Sequence, residues 1–190
     1  MRSGEDEGTS GSAPAPDEVA HRRALQEEEY RLPHHWILRK HGLHNYLHKS
    51  DVMADLVRAS GLTGGAALDV GCGDGRVLAA AGRLGFTRLA GIDHDPGLVE
   101  AARARLGSSA SIRLGDARTT PIDDEVGTVY LFNPLDEEGV ADVAAELAAS
   151  LSRRPRPALV VYVNPRAVAP LLDAGLSMVH LEPQFCVLAT

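Results

Sequence analysis

At 190 residues and 44% hydrophobic content the chain fits one compact, enzyme-sized domain with an ample core. Its formal charge of −7 argues against bulk nucleic acid or an acidic membrane as partner. Cys72 and Cys186 are too few and too far apart for a disulfide framework, and no apolar run approaches membrane-spanning length or a signal core, so a soluble cytoplasmic protein is expected.

Residues 1–16 are rich in Gly, Ser, Pro and acid, and read as a disordered tail. Residues 17–50 read as an N-terminal helical segment. A polar helix is expected over 17–30, capped by Asp17 and closed by Pro33, followed by a stretch rich in His and aromatics. A helix over 52–59, capped by Ser50 or Asp51 and ended by Gly61, opens the main domain, 51–190. From Ala66 the pattern alternates. Strands are expected at 67–70, 88–93 and 111–117, then 128–132, 158–163, 176–181 and 184–189. Helices are expected at 75–83, 96–106, 137–151 and 166–172, with Pro96 suited to a first helical position. Such alternation demands a mostly parallel sheet covered on both faces. The last two strands leave no room for a helix between them, so they form a hairpin around Glu182-Pro183 and the final strand runs antiparallel. The expected fold is α/β and Rossmann-like, with seven strands.

The densest chemical signal is Leu68-Asp69-Val70-Gly71-Cys72-Gly73-Asp74-Gly75-Arg76. It reads as a buried strand, a tight glycine turn and the positive end of a helix, an arrangement that receives a small-molecule cofactor. A dinucleotide fingerprint would need glycine where Arg76 stands, and a phosphate-cradling P-loop would need Lys-Ser/Thr. The pattern is instead G-x-G-x-G with Asp69 two places before the first glycine. It resembles the first motif of the class I S-adenosylmethionine (SAM) dependent methyltransferases. A second strand ends in Asp93, whose carboxylate can accept from both ribose hydroxyls of an adenosine. A third closes on Gly115-Asp116-Ala117. The resemblance implies that Asp116 and the Ala117 amide hold the adenine, Asp93 the ribose, and Gly71, Cys72 and Gly73 the methionine portion. It also implies that Asp69 positions the amino acid end, while His94 reaches the ribose or adenine from the turn after Asp93. The plainer reading of each Asp is a helix cap or a solvated turn. The expected cofactor is SAM, and a seven-stranded sheet with its last strand reversed is what the same resemblance predicts.

The acceptor side is thinner. Strand ends Phe132-Asn133-Pro134 and Val163-Asn164-Pro165 should place both Asn residues at the cleft. Asn133 resembles the Asn of the Asn-Pro-Pro-aromatic motif of amino-directed methyltransferases, but Leu135 and Asp136 replace the second Pro and the aromatic. It is a candidate both for holding the acceptor nitrogen and for lining the cofactor; the alternative is an Asn-Pro turn that starts a helix. Short connections in the second half leave the lid and acceptor pocket to residues before the sheet, or to a partner subunit. Tyr30-Arg31-Leu32-Pro33-His34-His35-Trp36 resembles a Tyr-x-x-Pro-x-His-aromatic segment preceding the SAM domain of some bacterial methyltransferases. On that reading His34 or His35 is a general base, with Trp36 or Tyr30 as a wall; on the other, the segment packs onto a sheet edge. His41, His44 and His48 have helical spacing, but Gly42 interrupts it, and no metal is expected. The resulting expectation is methyl transfer from SAM to an O or N of a small-molecule acceptor, with homodimerisation left open. Two alternatives remain: a non-catalytic SAM-binding protein or subunit that completes another enzyme, and an NAD(P)-dependent oxidoreductase.

Overall fold

The computed structural model describes residue 55 and residues 57–132, 135–182 and 184–190, within the compact unit Asp51–Thr190. The expected tail, the helix over 17–30 and the candidates His34, His35 and Asn133 lie outside the described residues. Strands β1 (Ala66–Val70), β2 (Arg88–Asp93), β3 (Ser111–Leu114), β4 (Val126–Phe132), β5 (Leu159–Val163), β6 (Ser177–Glu182) and β7 (Phe185–Ala189) alternate with helices α1 (Arg76–Arg83), α2 (Pro96–Leu106), α3 (Glu137–Arg153) and α4 (Ala169–Asp173). The sheet has seven strands in the order β3-β2-β1-β4-β5-β7-β6. Strands β1 to β5 pair in parallel, and β7 runs antiparallel between β5 and β6.

Period-two alternation of β1 sends its side chains to two cores. Leu68 and Val70 join Ile92, Leu131, Val143, Leu147, Val160 and Leu171 beneath α3 and α4. Ala67 joins Leu78, Val99, Ala102, Ile112 and Phe185 beneath α1 and α2. All five residues of β1 are buried, as a central strand covered on both faces requires.

The helix starts follow local chemistry. Asp95 accepts from the N–H groups of Gly97 (2.7 Å) and Leu98 (3.0 Å), with Pro96 in the first turn of α2. Asp136 caps α3 through Gly139 N–H at 2.9 Å, and Glu137 and Glu138 follow where the helix dipole favours acid. The last helix starts at Ala169 rather than at the expected residue 166. Pro170 explains the difference: it lacks an N–H and is tolerated only in a first turn. The fourth strand begins at Val126, two residues earlier than expected, because Gly127 extends the strand instead of breaking it. The third ends at Leu114, where Gly115 N–H turns to the Asp93 carbonyl at 2.9 Å.

The strand order reverses between β1 and β4, a switch point at whose carboxyl edge open α/β sheets place their ligand crevice. A concavity of about 610 Å³ lies at the opposite, amino edge, among Arg88, Arg113, Asp124, Glu125 and Arg153. There Arg88 pairs with Glu125 and Arg153 with Asp124, and none of the chemistry below reaches it. No described helix is long and apolar enough to cross a membrane.

Candidate cofactor site at the carboxyl edge

The glycine turn between β1 and α1 is tied to the end of β2. Gly71 and Cys72 N–H groups both donate to the Ile92 carbonyl, at 2.9 and 3.1 Å, and Gly75 N–H donates to the Cys72 carbonyl at 2.9 Å. Gly71, Gly73 and Gly75 have φ of 73°, 51° and 80°, in the region that glycine enters without penalty. At Gly75 a Cβ would also lie 2.7 Å from Leu106 Cδ1, so α2 packs directly on the turn. Asp74 fastens the same contact from outside: its Oδ2 accepts from Arg76 Nε and Arg105 Nη2, both at 2.9 Å, and its carbonyl accepts from Arg105 Nε at 2.8 Å.

Asp93 is the hub. Its Oδ2 accepts from Gly73 N–H at 2.8 Å, its Oδ1 from Asp95 N–H at 3.0 Å, and its carbonyl from Gly115 N–H. One residue therefore joins the turn after β1, the start of α2 and the end of β3. A carboxylate offers about four acceptor positions, so Asp93 retains capacity for further donors. His94 extends into solvent, its Nδ1 3.7 Å from Asp93 Oδ1.

Asp69, on β1, is only 2% exposed, and its Oδ2 has no hydrogen-bond partner among the described residues. Burial, reinforced by the Asp93 charge, pushes its carboxyl up to about 8. Burial together with Asp69 and Asp93 pushes the Cys72 thiol up to about 12, which leaves it protonated and poorly nucleophilic. Asp116 behaves in the opposite way. Hydrogen bonds from Arg118 hold its exposed carboxylate down to about 2, with Nη2 at 2.7 Å. Ala117 follows it, partly buried against the core beneath α3.

The structure thus connects Asp69, Gly71, Cys72, Gly73 and Asp93 in one cluster, with Asp116 and Ala117 on the neighbouring strand end and His94 at the rim. Three contributors escaped the sequence reading. Gly91 is needed because a Cβ there would sit 2.8 Å from both Cys72 Sγ and Leu78 Cδ1. Arg105 and Arg118 fasten Asp74 and Asp116. Only Arg118, two places from Asp116, stood close enough in sequence to be noticed. On β5 the pre-proline Asn164 has φ 49°, and its N–H donates to the Gln184 carbonyl at 2.7 Å. Among the described residues no group of three or more His, Cys, Asp or Glu converges as a metal site.

Residues 67–154 match the model of a methyltransferase domain family, a span that holds the turn, Asp93 and Asp116. The ribosomal protein L11 methyltransferase of Dechloromonas aromatica (strain RCB) is 44% identical over 71 residues, which cover 36% of this chain and 24% of that protein. The protein of the same name from Pelobacter propionicus is 40% identical over 89 residues, 46% of this chain and 28% of its own length. The chain therefore spans about a quarter of the length of these curated relatives. Among solved structures, a TehB-like SAM-dependent methyltransferase from Corynebacterium glutamicum superposes with a TM-score of 0.58 at 19% identity, covering 90% of this chain and 97% of that one. Magnesium protoporphyrin IX methyltransferase from Synechocystis with bound SAM gives 0.56 at 16% identity, covering 94% and 98%. At such identities the likeness speaks for the fold. Domain match and sheet topology agree: residues 67–154 are similar to a methyltransferase domain, and the seven-stranded sheet has the fold of the SAM-dependent methyltransferases on which it superposes.

Proposed function

We propose that this chain transfers the methyl group of SAM to an oxygen or nitrogen of a small-molecule acceptor. The observation that carries the reading is Asp93, a buried carboxylate at the crevice that is already fixed by two backbone N–H groups and still has acceptor positions to offer. Two further features suit SAM. Gly73 faces open space, with no atom within 4 Å of where a Cβ would stand, so a ligand can press on the backbone. Asp69 Oδ2, which has no hydrogen-bond partner among the described residues, suits the α-ammonium of a methionine portion. Bound there, SAM supplies an activated methyl on a sulfonium.

The protein's part is to hold and orient. Asp93 accepts from the ribose hydroxyls, Asp116 and the Ala117 amide hold the adenine, and the Gly71–Gly73 backbone guides the methionine chain. Fixing acceptor and donor in line, away from water, supplies most of the rate. A base is needed only for acceptors that must lose a proton, a role we assign to His34 or His35, with Asn133 orienting the acceptor. The protonated Cys72 thiol takes no part as a nucleophile.

Calorimetric titration with SAM, S-adenosylhomocysteine and NAD⁺ tests the reading. Micromolar binding of the first two alone supports it, and silence towards both refutes it. A second reading, a protein acceptor, is favoured by the names of the 40–44% identical relatives. Radiolabelled methyl transfer to purified ribosomal protein L11, set against a pool of small metabolites, separates the two. Tight SAM binding without transfer to either would point to a non-catalytic subunit.

A further inference from the structure

Asp116 is engaged at both carboxylate oxygens by a single residue, Arg118. Its Oδ1 accepts from Arg118 N–H at 2.9 Å and Arg118 Nε at 3.1 Å. Its Oδ2 accepts from the same Nε at 3.0 Å and from Nη2 at 2.7 Å. These are three N–H groups, the Nε hydrogen being shared between the two oxygens, so an adenine amino group competes with an arginine bond at either oxygen. The pair is cheap to open, because both side chains are close to half exposed, and such pairs contribute little in water.

Arg118 also has somewhere to go. Its side chain lies on the first turn of α3, where a Cβ on Gly139 would come within 3.3 Å of Arg118 Cδ. Two more carboxylates, Asp142 and Asp136, act on the guanidinium from that helix and its cap. Asp136 is partly engaged with Gly139 N–H, which leaves Asp142 as the freer seat.

We propose that Arg118 is a specificity-determining residue of the adenine pocket: it occupies Asp116 in the free protein and moves onto Asp142 and Asp136 when an adenine amino group takes an Asp116 oxygen. The inference rests on the SAM reading and deepens it. Ligands that carry an amino group at this position displace Arg118, while a carbonyl in its place meets the Asp116 carboxylate as a repelling acceptor. The exchange also links the adenine side to the β4–α3 connection, since the Arg118 stem rests on the helix that this connection feeds. Arg118 acts through Asp116 and is a positioning residue.

The test compares S-adenosylhomocysteine with S-inosylhomocysteine, its 6-oxo counterpart, by calorimetry on the full chain. Arg118→Met keeps the stem and the backbone N–H to Asp116 but removes the competing guanidinium. Binding of the adenosyl ligand should tighten about three- to tenfold, the inosyl ligand should not tighten, and the ratio between them should rise. Asp142→Asn removes the second seat and should weaken the adenosyl ligand severalfold while leaving the inosyl ligand unchanged. Equal weakening of both ligands by Arg118→Met would mean that the guanidinium packs on the ring, and would overturn the proposal. An unchanged ratio would overturn it too. If the wild-type protein binds neither ligand, the SAM reading itself falls and takes this inference with it, a result distinct from binding without discrimination. Circular dichroism of each variant verifies that the fold is intact.

Discussion

Replacing Asp69 by Asn turns the buried acid into a near-isostere that cannot ionise. In the unfolded chain this carboxyl titrates near 3.8; in the fold burial and Asp93 raise it to about 8. Below pH 4 both states hold the proton, and the acid exacts no penalty. Between pH 4 and 8 the unfolded chain releases its proton while the folded protein keeps it, so unfolding becomes easier as pH rises. The slope approaches about 1.4 kcal/mol per pH unit across that window and flattens above it. Integrated up to pH 8, this sets an upper bound of about 5 kcal/mol, from which the Asn amide subtracts about 1–3 kcal/mol if its new N–H group finds no partner where Oδ2 has none among the described residues. The variant should therefore be more stable than wild type by about 2–4 kcal/mol at pH 8, by less at pH 6.5, and no more stable at pH 4.5. Urea unfolding at the three pH values, with unchanged m, reads the difference from the midpoints. A gap between the two proteins that is constant across pH would refute the reasoning, because it would show that Asp69 titrates alike in both states.

Asp93→Ala removes acceptors for two ribose hydroxyls and should weaken SAM by about 1.5–3 kcal/mol, tenfold or more, with Asp93→Asn falling between. Unchanged affinity in calorimetry would remove the ribose assignment. Gly91→Ala drives a methyl to within 2.8 Å of Cys72 Sγ and Leu78 Cδ1, and should cost about 1–3 kcal/mol of stability by urea unfolding. An unchanged midpoint would mean that the turn yields more easily than its packing implies.

The elements were legible because their signals are local. Buried runs bounded by glycines marked β1 and β2, the Asp95-Pro96 pair marked the start of α2, and the missing helix before Phe185 forced the reversed strand. Misplaced boundaries trace to residues of double meaning: Gly127 extends a strand, and Pro170 sits inside a helix only by standing in its first turn. The glycine pattern and the acids at strand ends were equally readable. What the sequence hid depends on distant partners. Arg105 reaches Asp74 across 31 positions, and Gly91 is required by a cysteine on another segment. The charge states were hidden too: Asp69 and Asp116 look alike in sequence, yet burial holds a proton on the first and Arg118 strips it from the second.

The position of β7 has a consequence for assembly. Strands β1 to β5 can pair as they are made, but β6 follows β5 in sequence and does not touch it in the sheet. Among the described residues its sole strand neighbour is β7, whose Phe185, Cys186, Val187 and Leu188 are almost fully buried. A nascent chain that has emerged as far as Glu182 therefore carries an unpaired β5 edge and a β6 strand still without β7, both with backbone groups open to other chains. That interval is the chain's exposure to misassembly. It closes when β7 slots between the two strands, and afterwards the register shift between Met178 and His180 leaves the outer edge of β6 a poor template for a stranger's strand.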